Sequence, residues 1–146
     1  MGRGDVSAFI DTCVLVAFGN IKDKNYAKAA EIIKRAARGE YGLIFSSDYV
    51  FDETLTLALM LTKNPAVALE AGELILGSSA KGIPSFIELL WMDNQIFFES
   101  WSLFKKYAAK GLSFTDCTTV ALIMLEKIDV LLSFDRSFDG IVKRVG

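Results

Sequence analysis

The stretch Ala8-Phe9-Ile10-Asp11-Thr12-Cys13-Val14-Leu15-Val16-Ala17 decides the fold. Its apolar residues run on without alternation, which suits a strand covered on both faces, hence a parallel sheet flanked by helices. Residues 7–11 are expected to form that strand, with 12–19 continuing as loop or helix. Asp11 interrupts the run, and an ionised carboxylate there is costly unless it is paired, hydrogen-bonded or bound to a cation. A second apolar run, Val130-Leu131-Leu132-Ser133-Phe134, ends in Asp135. In open parallel sheets, ligands bind outside the carboxyl ends of the strands, where strand order reverses.

Between these two runs, short apolar segments alternate with longer amphipathic ones, the pattern of an α/β fold with a mainly parallel sheet. Asp23 or Asn25 can cap a helix over 25–38, which Gly39 ends. Leu43-Ile44-Phe45 reads as a second strand, after which Ser46, Ser47 or Asp48 opens a helix to 62. Asn64-Pro65 starts another to 76, because proline suits the first helical position. Phe86 to Trp91 reads as a third strand and Asp93 or Asn94 as the cap of a helix to 109, closed by Gly111. A helix over 115–127, the strand 130–134 and a short edge strand within 141–145 complete the pattern.

Helical phase singles out two further acids. On a helix over 48–62, Val50, Glu53, Leu57 and Met60 share one face, while Asp52, Thr56 and Lys63 turn elsewhere. Asp116 lines up with Val120, Ile123 and Lys127, in a first turn where the helix dipole favours negative charge. Each acid has an ordinary explanation. Asp11 can cap a loop, Glu53 can pair with a lysine, Asp116 can stabilise its helix, and Asp135 can form a turn with Arg136. Four such acids at one end of one sheet weigh against separate accidents. The chain contains no histidine, so the fitting partner is a hard cation bound through oxygen, Mg²⁺ or Mn²⁺. Such an ion lets an acidic pocket receive a phosphodiester and activates water against it, which implies phosphate-ester hydrolysis.

Composition narrows the alternatives. A chain of 146 residues has the length of one domain, and 52% hydrophobic content with a mean hydropathy of +0.36 suits a well-covered sheet. No apolar run reaches the roughly 18–20 residues of a membrane span. The N-terminus lacks the basic flank and cleavage site of a signal peptide, so a cytoplasmic location and no membrane association are expected. Cys13 and Cys117 have no CxxC spacing, which excludes a structural zinc site and leaves them as small packing residues. Without histidine, Ser-His-Asp and Cys-His mechanisms are excluded as well. Net charge is −2, and the local groups Lys34, Arg35 and Arg38, Lys105, Lys106 and Lys110, and Lys143 and Arg144 read as solvated helix faces or tail.

Four segments, in order, resemble the PIN-domain ribonucleases. Phe9-Ile10-Asp11-Thr12 resembles that family's opening strand, and Tyr49-Val50-Phe51-Asp52-Glu53-Thr54 its second-acid helix. Leu112-Ser113-Phe114-Thr115-Asp116 resembles the segment of the third acid, and Leu132-Ser133-Phe134-Asp135-Arg136-Ser137-Phe138 the closing strand. The resemblance implies a three-layer α/β/α sandwich with two helices between strands two and three. It implies a Mg²⁺- or Mn²⁺-dependent endoribonuclease acting on single-stranded RNA, with Asp11, Glu53, Asp116 and Asp135 as catalytic metal ligands. Thr12 and Ser133 match hydroxyl positions that support the acids or the phosphate, and Asp139 competes with Asp135 for the fourth place. Many relatives are VapC-type toxins, which implies an antitoxin partner and a homodimer. Two other readings stay open. A haloacid-dehalogenase-type phosphotransferase would need a second aspartate where Cys13 stands. A catalytically silent RNA- or protein-binding module would use the apolar helices 49–62 and 96–104, with Phe97, Phe98, Trp101 and Phe104, as a dimer or partner surface.

Overall fold

The computed structural model describes residues 6–146; residues 1–5, on which the reading of the N-terminal flank partly rests, lie outside them. Strand β1 (Ser7–Ile10) is buried along its whole length, as an unbroken apolar run requires. It pairs in parallel with β2 (Leu43–Ser47) on one side and β4 (Val130–Leu132) on the other. Ala8 stands opposite both Ile44 and Val130. With β3 (Ile87–Leu90) and β5 (Arg144–Val145) at the edges, the sheet order is β3-β2-β1-β4-β5, and every pairing is parallel.

The chain steps outward from β1 to β2 to β3, then returns across the sheet to β4 and β5. Right-handed crossovers therefore put the intervening helices on opposite faces. Helices α1 (Thr12–Phe18) and α2 (Tyr26–Ala37) precede β2; α3 (Asp48–Thr62) and α4 (Pro65–Leu76) precede β3. Helices α5 (Asn94–Tyr107) and α6 (Phe114–Glu126) pack on each other before β4. The result is a three-layer α/β/α sandwich with two helices between the second and third strands. Phe9, Ile10, Leu15, Leu122, Leu131, Leu132 and Phe138 form the fully buried centre. Among the described residues, no helix is long and apolar enough to cross a membrane.

Local chemistry sets the ends of these elements. The stretch 12–19, left open between loop and helix, forms α1 over Thr12–Phe18, with Asp11 at its N-cap and Gly19 at its C-cap. Asn64 caps α4 through its side chain, with Pro65 behind it. The Asp48 carboxylate accepts the Met92 N–H at 3.1 Å, tying the end of β3 to the start of α3. Met60 departs from its expected stripe and is 60% exposed, because the last turn of α3 projects from the layer together with Leu59 and Leu61. Strand β4 stops at Leu132, two residues short of the expected end, where the Ser133 side chain takes over the bonding described below.

Gly42 is fixed by the entry into β2. Its φ is +74°, and a Cβ there would lie 2.0 Å from the Val6 carbonyl oxygen, the acceptor of the Leu43 N–H. Gly42→Ala is therefore expected to cost at least ~2 kcal/mol in urea unfolding, from left-handed strain plus the clash. Gly39→Ala (φ +82°, with nothing within 4 Å of the added atom) should cost about 1 kcal/mol, the strain alone.

Candidate functional site

The order β2-β1-β4 makes the carboxyl end between β1 and β4 the point where strand order reverses, and the suspect acids converge there. A cavity of about 300 Å³ is lined by Asp11 from the end of β1, Glu53 from α3, Asp116 from α6 and Asp135 from the turn after β4. Asp23, Asn25, Thr12, Cys13 and Ser113 complete its polar wall, and no lysine or arginine among the described residues lines it.

Asp11 is 4% exposed. Although it occupies the N-cap of α1, its side chain makes no helix-capping bond. Its Oδ2 instead accepts the Ser133 hydroxyl at 2.7 Å, with the Cys13 thiol 3.4 Å away. Burial pushes the Asp11 carboxyl up to about 7; the Ser133 bond opposes the rise and the Asp116 charge adds to it. The chain thus holds a carboxylate in its interior at a large cost in the charged form. Burial, followed by the Asp11 charge, also pushes the Cys13 thiol up to about 12, so it is no nucleophile.

Asp116 serves its helix as well as the cavity. Its N–H donates to Ser113 Oγ at 3.0 Å, and its Oδ2 accepts the Ser113 N–H at 2.9 Å, a reciprocal capping box. Burial nevertheless raises its carboxyl above the usual range. The Ser113 bonds oppose this, while the charges of Asp135 and Glu53 reinforce it. Glu53 is half-buried, Asp52 is exposed, and Glu53 makes no ion pair among the described residues. Asp135 Oδ1 accepts the Ser137 N–H at 2.9 Å, the turn-forming role, and its own N–H donates to Ser133 Oγ at 3.0 Å. Ser133 is fully buried and lies behind the cavity wall, joining the two strand-end acids.

Asp139 stands apart from these acids. Arg144 holds it through two contacts, Nε to Oδ1 at 2.7 Å and Nη2 to Oδ2 at 3.2 Å, and this bond lowers its carboxyl below the usual range. It does not line the cavity.

Two cavity residues escaped the sequence reading as site members. Asp23 and Asn25 were expected only as helix caps. Asn25 occupies the N-cap of α2 without a side-chain bond, and Asp23 Oδ1 accepts the Asn25 N–H at 2.7 Å. The available signal was positional: this loop follows the helix that leaves the carboxyl end of β1.

The donors fit a hard divalent cation by their chemistry. Every charged group in the wall is a carboxylate, and Thr12 Oγ1 is buried in that wall with no hydrogen-bond partner among the described residues. As the side chains stand, no three acidic or cysteine side chains among the described residues are gathered closely enough to hold a metal ion between them.

Fold and cavity together define a class: a parallel α/β protein with a carboxylate-rich pocket at its switch point. The chain belongs to the PIN domain family, whose model matches residues 8–143. A VapC ribonuclease of Archaeoglobus fulgidus is 27% identical over 135 residues, covering 91% of this chain and 80% of that protein. Among solved structures, the sarcin-ricin-loop-cleaving toxin VapC20 of Mycobacterium tuberculosis matches with a TM-score of 0.73. It is 23% identical, with 90% of this chain and 92% of that one covered. VapBC2 of Rickettsia felis, solved bound to a DNA fragment from its promoter, matches at 0.64 and 16% identity, covering 95% and 97%.

Proposed function

We propose that this chain is a Mg²⁺- or Mn²⁺-dependent endoribonuclease that hydrolyses phosphodiester bonds of single-stranded RNA. The observation that carries the reading is a cavity into which Asp11, Asp23, Glu53, Asp116 and Asp135 project from separate elements, without a lysine or arginine in its wall. Such a pocket repels RNA until a cation occupies it. Asp11, Glu53, Asp116 and Asp135 would hold that ion; when bound, it supplies charge for the phosphate and an activated water. Ser133 fixes Asp11 through Oδ2, leaving Oδ1 without a side-chain donor among the described residues, and the Asp135 N–H locks Ser133 in turn. Thr12 would support the acids or the phosphate through its hydroxyl, which has no hydrogen-bond partner among the described residues.

The A. fulgidus relative supports ribonuclease activity. The toxin–antitoxin complexes among the structural neighbours support an antitoxin partner. Phe97, Phe98 and Trp101 crowd one face of α5 at 41%, 63% and 46% exposure, which supports a homodimer built there. Sedimentation of the purified chain should give twice the monomer mass.

Cleavage of a labelled single-stranded RNA tests the activity. Mn²⁺ should support it, EDTA should abolish it, and a duplex of the same sequence should resist. Cleavage that persists in EDTA would overturn the metal reading. Asp135→Asn should lower the rate by at least ~10², as loss of a metal-site group does. Asp139→Asn should stay within about threefold of wild type, since its partner is Arg144 and it lies outside the cavity. The reverse order would make Asp139 the fourth acid.

A further inference from the structure

We infer that Cys13 is a positioning residue, a thiol that locks the carboxyl ends of β1 and β4 together so that Asp11 and the 133–135 turn face one cavity. The inference rests on the metal-dependent reading above. Cys13 Sγ accepts the Phe134 N–H at 3.3 Å, lies 3.3 Å from Ser133 Oγ, and lies 3.4 Å from Asp11 Oδ2. Ser133 and Phe134 sit about 120 residues away in sequence, just past the end of β4, whereas Asp11 is two residues from Cys13, just past the end of β1. With the Ser133 hydroxyl and the Asp135 N–H, a continuous set of donors points toward one carboxylate oxygen.

Cys117 supplies the contrast. It also adjoins a cavity acid, Asp116, yet it is fully buried and makes no side-chain hydrogen bond among the described residues, so it behaves as a packing residue. Cys13 is half-buried, lines the cavity wall and contacts both strand ends. Serine keeps a donor and an acceptor on a similar stem; alanine keeps neither, and leaves the Phe134 N–H without its acceptor.

Partners of metal ligands typically set metal affinity by 10- to 100-fold. Calorimetric titration with Mn²⁺ should therefore show Cys13→Ala binding about tenfold more weakly than wild type. Cys13→Ser should recover to within about threefold of wild type. Cys117→Ala should lower the melting temperature and leave the Mn²⁺ affinity unchanged. In RNA cleavage, Cys13→Ala should lower kcat and leave KM unchanged. Equal Mn²⁺ affinity of Cys13→Ala and wild type would overturn the inference alone, as would failure of the serine variant to restore binding. A wild-type protein without saturable Mn²⁺ binding would overturn the metal reading and this inference with it.

Discussion

Asp11→Asn is expected to silence RNA cleavage while raising the melting temperature of the metal-free protein at pH 8 by about 5 °C. The two effects have one cause. Asp11 is 4% exposed, and burial pushes its carboxyl from 3.8 up to about 7. At 1.36 kcal/mol per pH unit, keeping that charge inside costs about 4 kcal/mol above pH 7. An asparagine Oδ1 can still accept the Ser133 hydroxyl, so most of the local geometry survives. Its NH₂ group needs a partner where a carboxylate oxygen stood, which returns part of the gain, so the net stabilisation is ~2 kcal/mol. The same exchange removes the most deeply buried charged donor of the cavity. Losing several kcal/mol of electrostatic stabilisation corresponds to at least a ~10³ fall in kcat/KM. Calorimetry with a cleavage assay checks both halves. A variant that is both inactive and less stable would show that Asp11 is only a structural residue.

The second large effect is a reversed pH profile of stability. A carboxyl whose folded pKa is raised binds more protons in the folded than in the unfolded chain between pH 3.8 and about 7. Its contribution is therefore favourable at low pH and is lost as pH rises through that window. Asp116, raised in the same direction, adds to the trend. The metal-free protein should melt several degrees higher at pH 5 than at pH 8, against the common acid-labile pattern. Mn²⁺ should remove the difference, because the ion binds the deprotonated carboxylates and stabilises only the folded chain. Saturating ion, at about 1,000 times its dissociation constant, contributes ~4 kcal/mol, so its melting shift should be larger at pH 8 than at pH 5. Equal shifts at both pH values would place the ion away from these acids.

Much of this arrangement is legible in the sequence because its signals are local. The unbroken apolar runs ending in Asp11 and Asp135 mark buried parallel strands and the edge they share. A 100° step per residue separates half-buried Glu53 from exposed Asp52. The Asn64-Pro65 pair marks the start of α4 to the residue. What stayed hidden depends on contacts distant in the chain. Asp135 and Asp139 stand four residues apart in one turn, and only the approach of Arg144 from β5 takes Asp139 out of the site. Asp23 reaches the cavity because residues 12–18 are helical, and that choice directs the following loop back over β1. Cys13 reads as packing until β4 brings Ser133 and Phe134 beside it.

The decisive measurement is an anomalous difference map from a Mn²⁺-soaked crystal of the wild-type protein. A peak should stand in the cavity, about 2.1 Å from an oxygen of Asp11 or Asp116, with Glu53 and Asp135 reached directly or through one water. Manganese density confined to surface carboxylates at saturating concentration, with the cavity empty, would contradict the metal-dependent reading.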